Sequence, residues 1–361
     1  MMKNMTDPRA KKLAEIFVNY SVRIKKGDTV EISCGPEAKP LVLEISKLIL
    51  KKGAIPLVRT GIEGYANVYY KYASNDILKR FPKIAMYEAK NTQASISIGT
   101  ETNTKELSGI DPKKMAIRSK VTRKLSDHIV NKNNWVIFEY PTNALAQDAE
   151  MSLEDFEDFV YNSCLLDWKK EARKQKKIVN LLHRTKKVRI KHKDTDLTFS
   201  IKGKKAKECA GTRNMPDGEV FTEPVKHSVN GYIRYSFPAI KGGREVDGIR
   251  LEFRNGKVVK ATAEKNENYL NTMIKMDPGA SYIGEFGIGL NYGIKRFVKQ
   301  ILFDEKIGGT IHFALGRAYK ETGGENKSAL HWDMIKDMRN GGEVYFDDKL
   351  VMKNGKWKGY S

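Results

Sequence analysis

Side chains that could bind a metal ion are concentrated in the second half of the chain. Two of the six histidines, His312 and His331, lie there among acidic residues that stand beside glycines or aromatic residues. Oxygen and nitrogen ligands without thiolates are typical of sites for zinc, cobalt, manganese or iron(II). The sequence therefore predicts a metal site built from four segments: NMPDGEVFTEP (214–224), GEFGIGLN (284–291), GTIHFALGRAY (309–319) and HWD (331–333).

Five side chains of these segments are the candidate ligands. Glu285 opens an apolar, glycine-bearing run, a placement that costs free energy unless the charge is paired or bound to a metal ion. His312 lies in another apolar run, Glu219 follows a turn, and His331 and Asp333 would point to the same side of a strand. Each residue alone fits an ordinary structural role better than a functional one, so the prediction depends on the set.

Other titratable residues near these segments are interpreted as supporting or structural. Glu223 and Glu305 are acidic residues close to the motifs that fit an outer position around the site or the surface; Glu223 is also a weak candidate for the general base. The remaining histidines stand in polar or basic surroundings, which indicates surface or structural roles: His128, His183, His192 and His227.

Composition indicates a globular protein with two domains. The chain has 361 residues, of which 40% are hydrophobic, and no apolar run approaches the length of a membrane span. The N-terminus has no secretory signal pattern, and three scattered cysteines favour a reducing compartment, so we expect a cytoplasmic protein. The net charge of +21 raises the possibility of nucleic-acid binding, but the basic residues are dispersed and no nucleic-acid motif is present.

The two halves of the chain show different patterns. In the first half strands alternate with helices, which predicts parallel βαβ units in an open, doubly wound sheet. From Lys187 onward the pattern is mostly antiparallel strands, including a hairpin with an Asn255-Gly256 turn. A long helix beginning at Ser152 would connect the halves. We therefore predict an N-terminal α/β domain over residues 1–180 and a C-terminal mixed α+β catalytic domain over residues 181–361.

The order of the four motifs resembles that of a known family. NMPDGEVFTEP, EFGIGLN, GTIHFALGRAY and HWD are similar to the motifs of the thermophilic metalloaminopeptidases, the aminopeptidase T and aminopeptidase S type of peptidase family M29. The similarity extends, more weakly, into the N-terminal half. The resemblance implies a homodimeric exopeptidase that removes N-terminal residues from peptides and has a flavodoxin-like N-terminal domain.

The resemblance also implies roles for individual residues. The site would hold two divalent ions (Zn²⁺, Co²⁺ or Mn²⁺), and Glu285 would reach both of them. Tyr319 would act in catalysis at the ions, by polarising the scissile carbonyl or holding the tetrahedral intermediate. The implied metal ligands are Glu219, Glu285, His312, His331 and Asp333.

Two features depart from the family pattern. The interval between His312 and His331 is short, which makes the segment KETGGENKSAL (320–330) a trimmed loop. The family also implies a further acidic ligand a few residues before the first histidine, where this chain has Ile307 and Gly308, and Glu305 stands slightly too far upstream.

Two alternatives to a peptidase remain open from the sequence. His312, His331 and Asp333 alone would form a set of two histidines and one carboxylate, which suits a mononuclear iron ring-cleaving dioxygenase. A non-catalytic binding protein on the same scaffold is the other alternative. The presence of both Glu219 and Glu285 favours two metal ions and therefore hydrolysis.

Overall fold

The computed structural model describes residues 7–359, which form two compact units. The first contains the described residues up to Leu165 and the segment Gly211–Pro216, and the second contains Leu166–Ala210 and the described residues from Asp217 onward. A compact unit is defined by proximity, whereas a domain is defined by independent folding. The domains 1–180 and 181–361 therefore stay a prediction.

Several helices of the first unit begin at a residue whose side chain caps the helix. Asp7 accepts a hydrogen bond from the Arg9 backbone N–H, and Pro8 is the first helical residue, a position that suits proline because its missing N–H needs no partner there. The elements before residue 166 are α1 (Pro8–Ile16), a π-helical turn (Phe17–Ser21), β1 (Thr29–Cys34), a 3-10 turn (Pro36–Ala38), α2 (Lys39–Lys51), β2 (Ile55–Thr60), α3 (Tyr65–Tyr72), α4 (Asn75–Leu78), α5 (Lys83–Asn91), β3 (Ala94–Gly99), α6 (Pro112–Lys132), β4 (Asn134–Glu139), α7 (Asn143–Asp148) and α8 (Leu153–Cys164).

The remainder of the chain consists mainly of strands. Its elements are α9 (Trp168–Arg184), β5 (Lys187–His192), β6 (Thr195–Ser200), β7 (Lys207–Cys209), β8 (Asn214–Met215), β9 (Glu219–Thr222), β10 (Asn230–Arg234), β11 (Ala239–Lys241), β12 (Arg244–Val246), β13 (Arg250–Arg254), β14 (Lys257–Thr262), α10 (Glu267–Ile274), β15 (Ile283–Gly289), α11 (Ile301–Asp304), β16 (Thr310–Gly316), a 3-10 turn (Lys320–Thr322), β17 (His331–Asp337), β18 (Glu343–Phe346), β19 (Lys349–Lys353) and β20 (Lys356–Trp357).

The first unit is built on a parallel sheet, as predicted. Its strand order is β2-β1-β3-β4-β8, and every pair in it is parallel. The strands that alternate with helices in the first half, β1 to β4, all lie within this sheet. Helices α3 to α5 lie between β2 and β3, and α3 buries none of its side chains.

The prediction of one long helix beginning at Ser152 is wrong. The chain instead forms two helices, α8 and α9, separated by a short break. Leu165 leaves the helical region (φ −85°, ψ 53°), and Asp167 caps the second helix by accepting a hydrogen bond from the Lys170 backbone N–H. An aspartate at an N-cap satisfies a backbone donor that would otherwise have no partner, and this favours a new helix start there.

The second unit is mainly antiparallel, as predicted. One sheet has the order β14-β13-β10-β6-β5-β18-β19-β20 and contains the predicted hairpin. Asn255 (φ 48°) and Gly256 (φ 82°) form its two-residue turn, the conformation that a type I′ turn requires.

The five-stranded sheet β17-β16-β15-β9-β7 supplies the candidate site. Its central strands β15 and β16 are buried along their whole length. One face carries alternate apolar side chains such as Phe286, Phe313 and Trp332, which belong to the hydrophobic core of the unit. The opposite face carries the residues in between, because successive side chains of a strand point to opposite faces.

Candidate metal centre

The antiparallel register brings the predicted ligands onto one face of this sheet. Glu285 lies opposite Ala314, and Ala314 lies opposite Asp333 on the next strand. At the next positions along the strands, Gly287 pairs with His312 across to β16, and Gly289 pairs with Glu219 across to β9. The small residues at these positions leave space above the sheet for the longer carboxylate and imidazole side chains.

A β-bulge sets the direction of Glu285. The register of β15 against β16 shifts between Ile283 and Glu285, so Gly284 is an extra residue. Without this bulge Ile283 and Glu285, two positions apart, would share a face. With it, Ile283 packs into the hydrophobic core while Glu285 joins the ligand face. Bulges that redirect one side chain are frequent next to active sites.

The five predicted ligands form two clusters that share Glu285. His312 Nε2 lies 3.3 Å from Glu219 Oε2 and 3.5 Å from Glu285 Oε1. His331 Nε2 lies 3.4 Å from Glu285 Oε2 and 3.6 Å from Asp333 Oδ2. Within each cluster the potential ligand atoms are all within 4.8 Å of one another. The two oxygens of Glu285 thus face two different histidines, the arrangement expected of a carboxylate that bridges two ions.

Electrostatics of the cluster favour a bound cation. Glu219, Glu285 and His312 are buried, and both ring nitrogens of His312 lack a hydrogen-bond partner among the described residues. Burial raises the pKa of Glu219 and of Glu285, and like charges in the cluster contribute to the same direction. Burial alone would lower the pKa of His312, but Glu285 and Glu219 raise it to about 9. Buried, poorly paired charges of this kind are expected where a metal ion binds.

Glu305, for which the sequence predicts an outer position or the surface, lies close to members of both clusters. Its carboxylate forms a further group with His312 and Asp333 in which ligand atoms lie within 4.8 Å of one another. Only 16% of its side chain is exposed, so it is not a surface residue. The short helix α11 and the turn after it fold the chain back, which places Glu305 nearer to His312 than an extended chain would.

A buried lysine is the second feature of the centre that the sequence did not reveal. The side chain of Lys306 is fully buried, its Nζ lies 3.8 Å from Glu219 Oε1, and it also donates to Glu305. Burial alone would lower the pKa of Lys306, but Glu219 and Glu305 raise it, so the side chain is charged. It therefore offsets part of the negative charge on this side of the centre.

Hydrogen bonds outside the cluster orient its members. His331 Nδ1 lies 2.8 Å from the carbonyl oxygen of Arg317, which fixes that nitrogen as the donor and leaves Nε2 facing Glu285 and Asp333. This is the arrangement by which metal-binding histidines are usually held.

Tyr319 lies at the edge of the cluster, where the family resemblance places it. Its hydroxyl is 3.5 Å from His331 Nε2, and its ring packs edge-on against Phe221 and His331. Burial and then the Glu285 and Asp333 carboxylates raise the pKa of Tyr319, so its hydroxyl stays protonated and can donate a hydrogen bond. The short loop after it is held by hydrogen bonds from Thr322 and Gly324 to the Tyr319 carbonyl oxygen.

Glu223, the weak candidate for the general base, forms an ion pair with Lys204 at 2.9 Å and belongs to none of the groups of potential ligands found among residues 7–359. Three of the other histidines have structural contacts: His192 hydrogen-bonds with Asp194, His183 accepts from the Ala206 backbone N–H, and His227 packs against Tyr282.

Replacing Gly287 by alanine is expected to damage the centre. A Cβ at this position would lie 1.9 Å from His312 Nε2, and the imidazole is fully buried and cannot move aside freely. We expect the free energy of unfolding to fall by about 1–3 kcal/mol and metal affinity to fall at least about tenfold. Urea unfolding and metal titration would measure both. Gly109→Ala is the control, since nothing lies within 4 Å of its added Cβ; equal behaviour of the two variants would contradict this packing argument.

The parallel and antiparallel sheets together with the buried carboxylate–imidazole cluster define a metalloenzyme of mixed α/β fold. The model of the thermophilic metalloprotease family (M29) matches residues 6–357. The chain therefore belongs to this family, and its resemblance to the family is confirmed.

Similar proteins agree with this membership. Aminopeptidase 2 of Geobacillus stearothermophilus is 27% identical over 364 residues, which cover 91% of this chain and 87% of the relative. Aminopeptidase AmpS of Bacillus subtilis (strain 168) is 26% identical, with 95% and 97% of the two chains covered. The solved structure of wild-type AmpT from Thermus thermophilus superposes with a TM-score of 0.86 over 97% of this chain and 99% of that one, at 23% identity, which shows that the fold is shared. Among the described residues no helix is long and apolar enough to cross a membrane.

Proposed function

We propose that this protein is a metal-dependent aminopeptidase that hydrolyses N-terminal residues from peptides at a site for two divalent ions. Membership in the M29 family and the aminopeptidase relatives confirm the predicted class of enzyme, a hydrolase of peptide bonds. The observation that supports two ions best is the position of Glu285. Its two carboxylate oxygens face His312 and His331 separately, at 3.5 and 3.4 Å.

The donor set fits divalent ions of the first transition row. Glu219, Glu285 and His312 would hold one ion, and Glu285, His331 and Asp333 the other. We further propose Glu305 as an additional ligand, because its carboxylate is within reach of His312 and Asp333. Carboxylate and imidazole ligands suit Zn²⁺, Co²⁺ or Mn²⁺.

The chemistry follows from what such ions and these side chains can each do. When bound, a pair of ions lowers the pKa of a coordinated water to roughly 7 and holds the attacking and leaving oxygens. Tyr319, protonated and beside His331, is positioned to donate a hydrogen bond to the carbonyl oxygen as negative charge develops on it. The Arg317 carbonyl keeps His331 in the required tautomer.

The two alternative functions receive no support from the family or its aminopeptidase relatives. A mononuclear iron site would need His312, His331 and Asp333 alone, whereas Glu219 lies 3.3 Å from His312 and would be a superfluous buried carboxylate. A pure binding protein would have no need for so many poorly paired charges in its interior.

The type of the parallel sheet, the oligomeric state, the compartment and the class of substrate are further proposals. We propose that the parallel sheet is a doubly wound, flavodoxin-like one, because its strand order corresponds to that arrangement. We also propose a homodimer that acts in the cytoplasm on peptides rather than on nucleic acid, as expected from the sequence.

Metal content and hydrolysis measured together test the proposed function. We expect protein loaded with Zn²⁺, Co²⁺ or Mn²⁺ to hold two ions per chain and to release leucine from leucine amides and peptides, and a chelator to abolish this activity. Anomalous scattering from metal-supplemented crystals should show both ions beside Glu285. One iron per chain with oxygen uptake, or hydrolysis that survives complete removal of metal, would overturn the proposal.

A further inference from the structure

We propose that Lys241, together with Arg317 and Tyr235, binds the C-terminal carboxylate of short peptides, so that dipeptides with a free carboxylate are the favoured substrates. This inference rests on the proposed aminopeptidase function and adds a substrate class to it. It is carried by a group of donors on the His331–Asp333 side of the centre, and none of these three residues is among the proposed ligands.

Lys241 lies next to the candidate centre. Its Nζ donates a hydrogen bond to the carbonyl oxygen of His331. Burial lowers the pKa of Lys241, and the neighbouring charge of Asp333 opposes this shift. His331 therefore carries both a proposed ligand atom and the carbonyl that holds this lysine, which places the ammonium within about one residue's dimensions of that ligand atom. Two residues of extended chain span roughly 7 Å. A dipeptide whose N-terminal end is at the ions can accordingly reach Lys241 with its carboxylate.

The lysine is held in place by the hairpin β11–β12. The two strands are joined at Gly242 and Gly243, which both have positive φ. The carbonyl oxygen of Lys241 accepts a hydrogen bond from the Tyr269 hydroxyl at 3.1 Å. A donor whose backbone is fixed in this way loses little conformational freedom when it binds a ligand.

The two basic side chains beside the centre, Lys241 and Arg317, form no ion pair in the described part of the chain. Among residues 7–359, no carboxylate oxygen lies within 4.0 Å of the Lys241 or Arg317 side chain. The carboxylate of the same hairpin, Glu245, instead pairs with Lys265 and Lys299. The charge of the exposed Arg317 acts on both Lys241 and Tyr319, so the Arg317 and Lys241 cations are near one another.

This positive charge would become more prominent when the metal ions bind. Four carboxylates of the centre, those of Glu219, Glu285, Glu305 and Asp333, balance the charge of two divalent ions. Asp333 is then no longer available to compensate Lys241, and the side chains of Lys241 and Arg317 form a basic subsite. An anionic group of the substrate is the natural partner for such a subsite.

A buried hydroxyl supplies a second, independent indication of a ligand. Tyr235 is 3% exposed, and its hydroxyl has no hydrogen-bond partner among the described residues. Burial and the neighbouring Asp333 raise its pKa, so the hydroxyl remains a donor. A buried tyrosine hydroxyl normally has a partner, and in the proposed subsite the substrate carboxylate would provide one.

The test compares a dipeptide with its amide. For metal-loaded protein we expect kcat/KM for leucyl-glycine to exceed that for leucyl-glycine amide by on the order of 10- to 100-fold, which is the contribution expected from a hydrogen bond to a charged group. The difference should lie mainly in KM. Lys241→Gln should bring this ratio close to one, and Lys241→Arg should restore it. Lys260→Gln removes an equal charge from a side chain that is 64% exposed and should leave the ratio unchanged.

Binding measured without turnover separates this inference from the proposed function. Calorimetry with the reduced-bond analogue of leucyl-glycine, as free acid and as amide, should give a Kd ratio of the same size in metal-loaded wild-type protein. Equal affinity for the two forms would overturn the carboxylate subsite while leaving the aminopeptidase intact, as would a Lys241→Gln variant that loses both substrates in the same proportion. Absence of hydrolysis for both forms would overturn the proposed function itself.

Discussion

Glu285→Gln is expected to abolish hydrolysis almost completely and to remove at least one metal ion per chain. Each oxygen of Glu285 faces a different histidine, and an amide provides one neutral oxygen in place of two that share a charge. A contribution of several kcal/mol from metal binding corresponds to a loss in kcat/KM on the order of 10³-fold or more. Metal analysis and steady-state kinetics on leucine amides would measure the two effects.

The same substitution should leave the stability of the metal-free protein unchanged or increase it, although it abolishes activity. Burial raises the pKa of Glu285, which means that its charged form is unfavourable in the folded protein without metal. We therefore expect the metal-free variant to unfold at the same or a higher temperature than metal-free wild type, and to lose most of the increase in Tm that metal produces. Such a combination is typical of side chains retained for function rather than for stability.

The control for this experiment is Glu252→Gln, which makes the same chemical change on β13 at a side chain that is 36% exposed. It should retain metal content, activity and the effect of metal on Tm. A Glu285→Gln variant that kept two ions and its kcat/KM would show that Glu285 is not a bridging ligand.

The main features of the fold were accessible from the sequence because they depend on local patterns. Alternating strands and helices predicted the parallel sheet, and Asn255-Gly256 predicted the hairpin between β13 and β14. The break between α8 and α9 was missed, since Leu165 and Leu166 continue an apolar pattern and only Asp167 signals a new start. Local propensity cannot decide between one capped helix and two when the apolar spacing is continuous.

The sequence could predict the members of the candidate site that lie in strands, because the period of a strand determines which face a side chain occupies. In strands β15, β16 and β17 a period of two places Glu285, His312, His331 and Asp333 on one face, once Gly284 is recognised as a bulge. Glu305 and Lys306 lie in a turn, where no period relates sequence distance to direction. Their approach to the cluster depends on the path of the chain after α11, which is set by tertiary packing.

Lys241 shows a further limit of sequence reasoning. It stands in a basic, glycine-containing hairpin that resembles many surface turns, and nothing in its neighbours indicates a functional role. Its position beside His331 results from packing of β11 near β17, which brings together residues that are 90 positions apart. Contacts of this kind become visible only in the folded structure.

Tyr319→Phe is expected to lower kcat on the order of 10²- to 10³-fold, the effect of removing one hydrogen-bond donor from developing negative charge. The phenol ring packs against Phe221 and His331, and phenylalanine preserves this packing. The hydroxyl lies 3.5 Å from His331 Nε2 and stays protonated, because burial and nearby carboxylates raise its pKa, so it is a hydrogen-bond donor rather than an anionic metal ligand. The variant should therefore retain its metal ions and its KM while losing its rate.

This separation of rate from metal content distinguishes Tyr319 from the ligands. We would measure kcat, KM and metal stoichiometry for Tyr319→Phe beside Tyr345→Phe. The Tyr345 hydroxyl donates to Glu343 on strand β18 of the other antiparallel sheet, and this variant should behave as wild type. Because the pKa of Tyr319 is raised by burial and nearby carboxylates, the hydroxyl of the wild-type enzyme should donate throughout the neutral and mildly alkaline range. Loss of metal from Tyr319→Phe, or an unchanged kcat, would show that the hydroxyl does not act on the substrate.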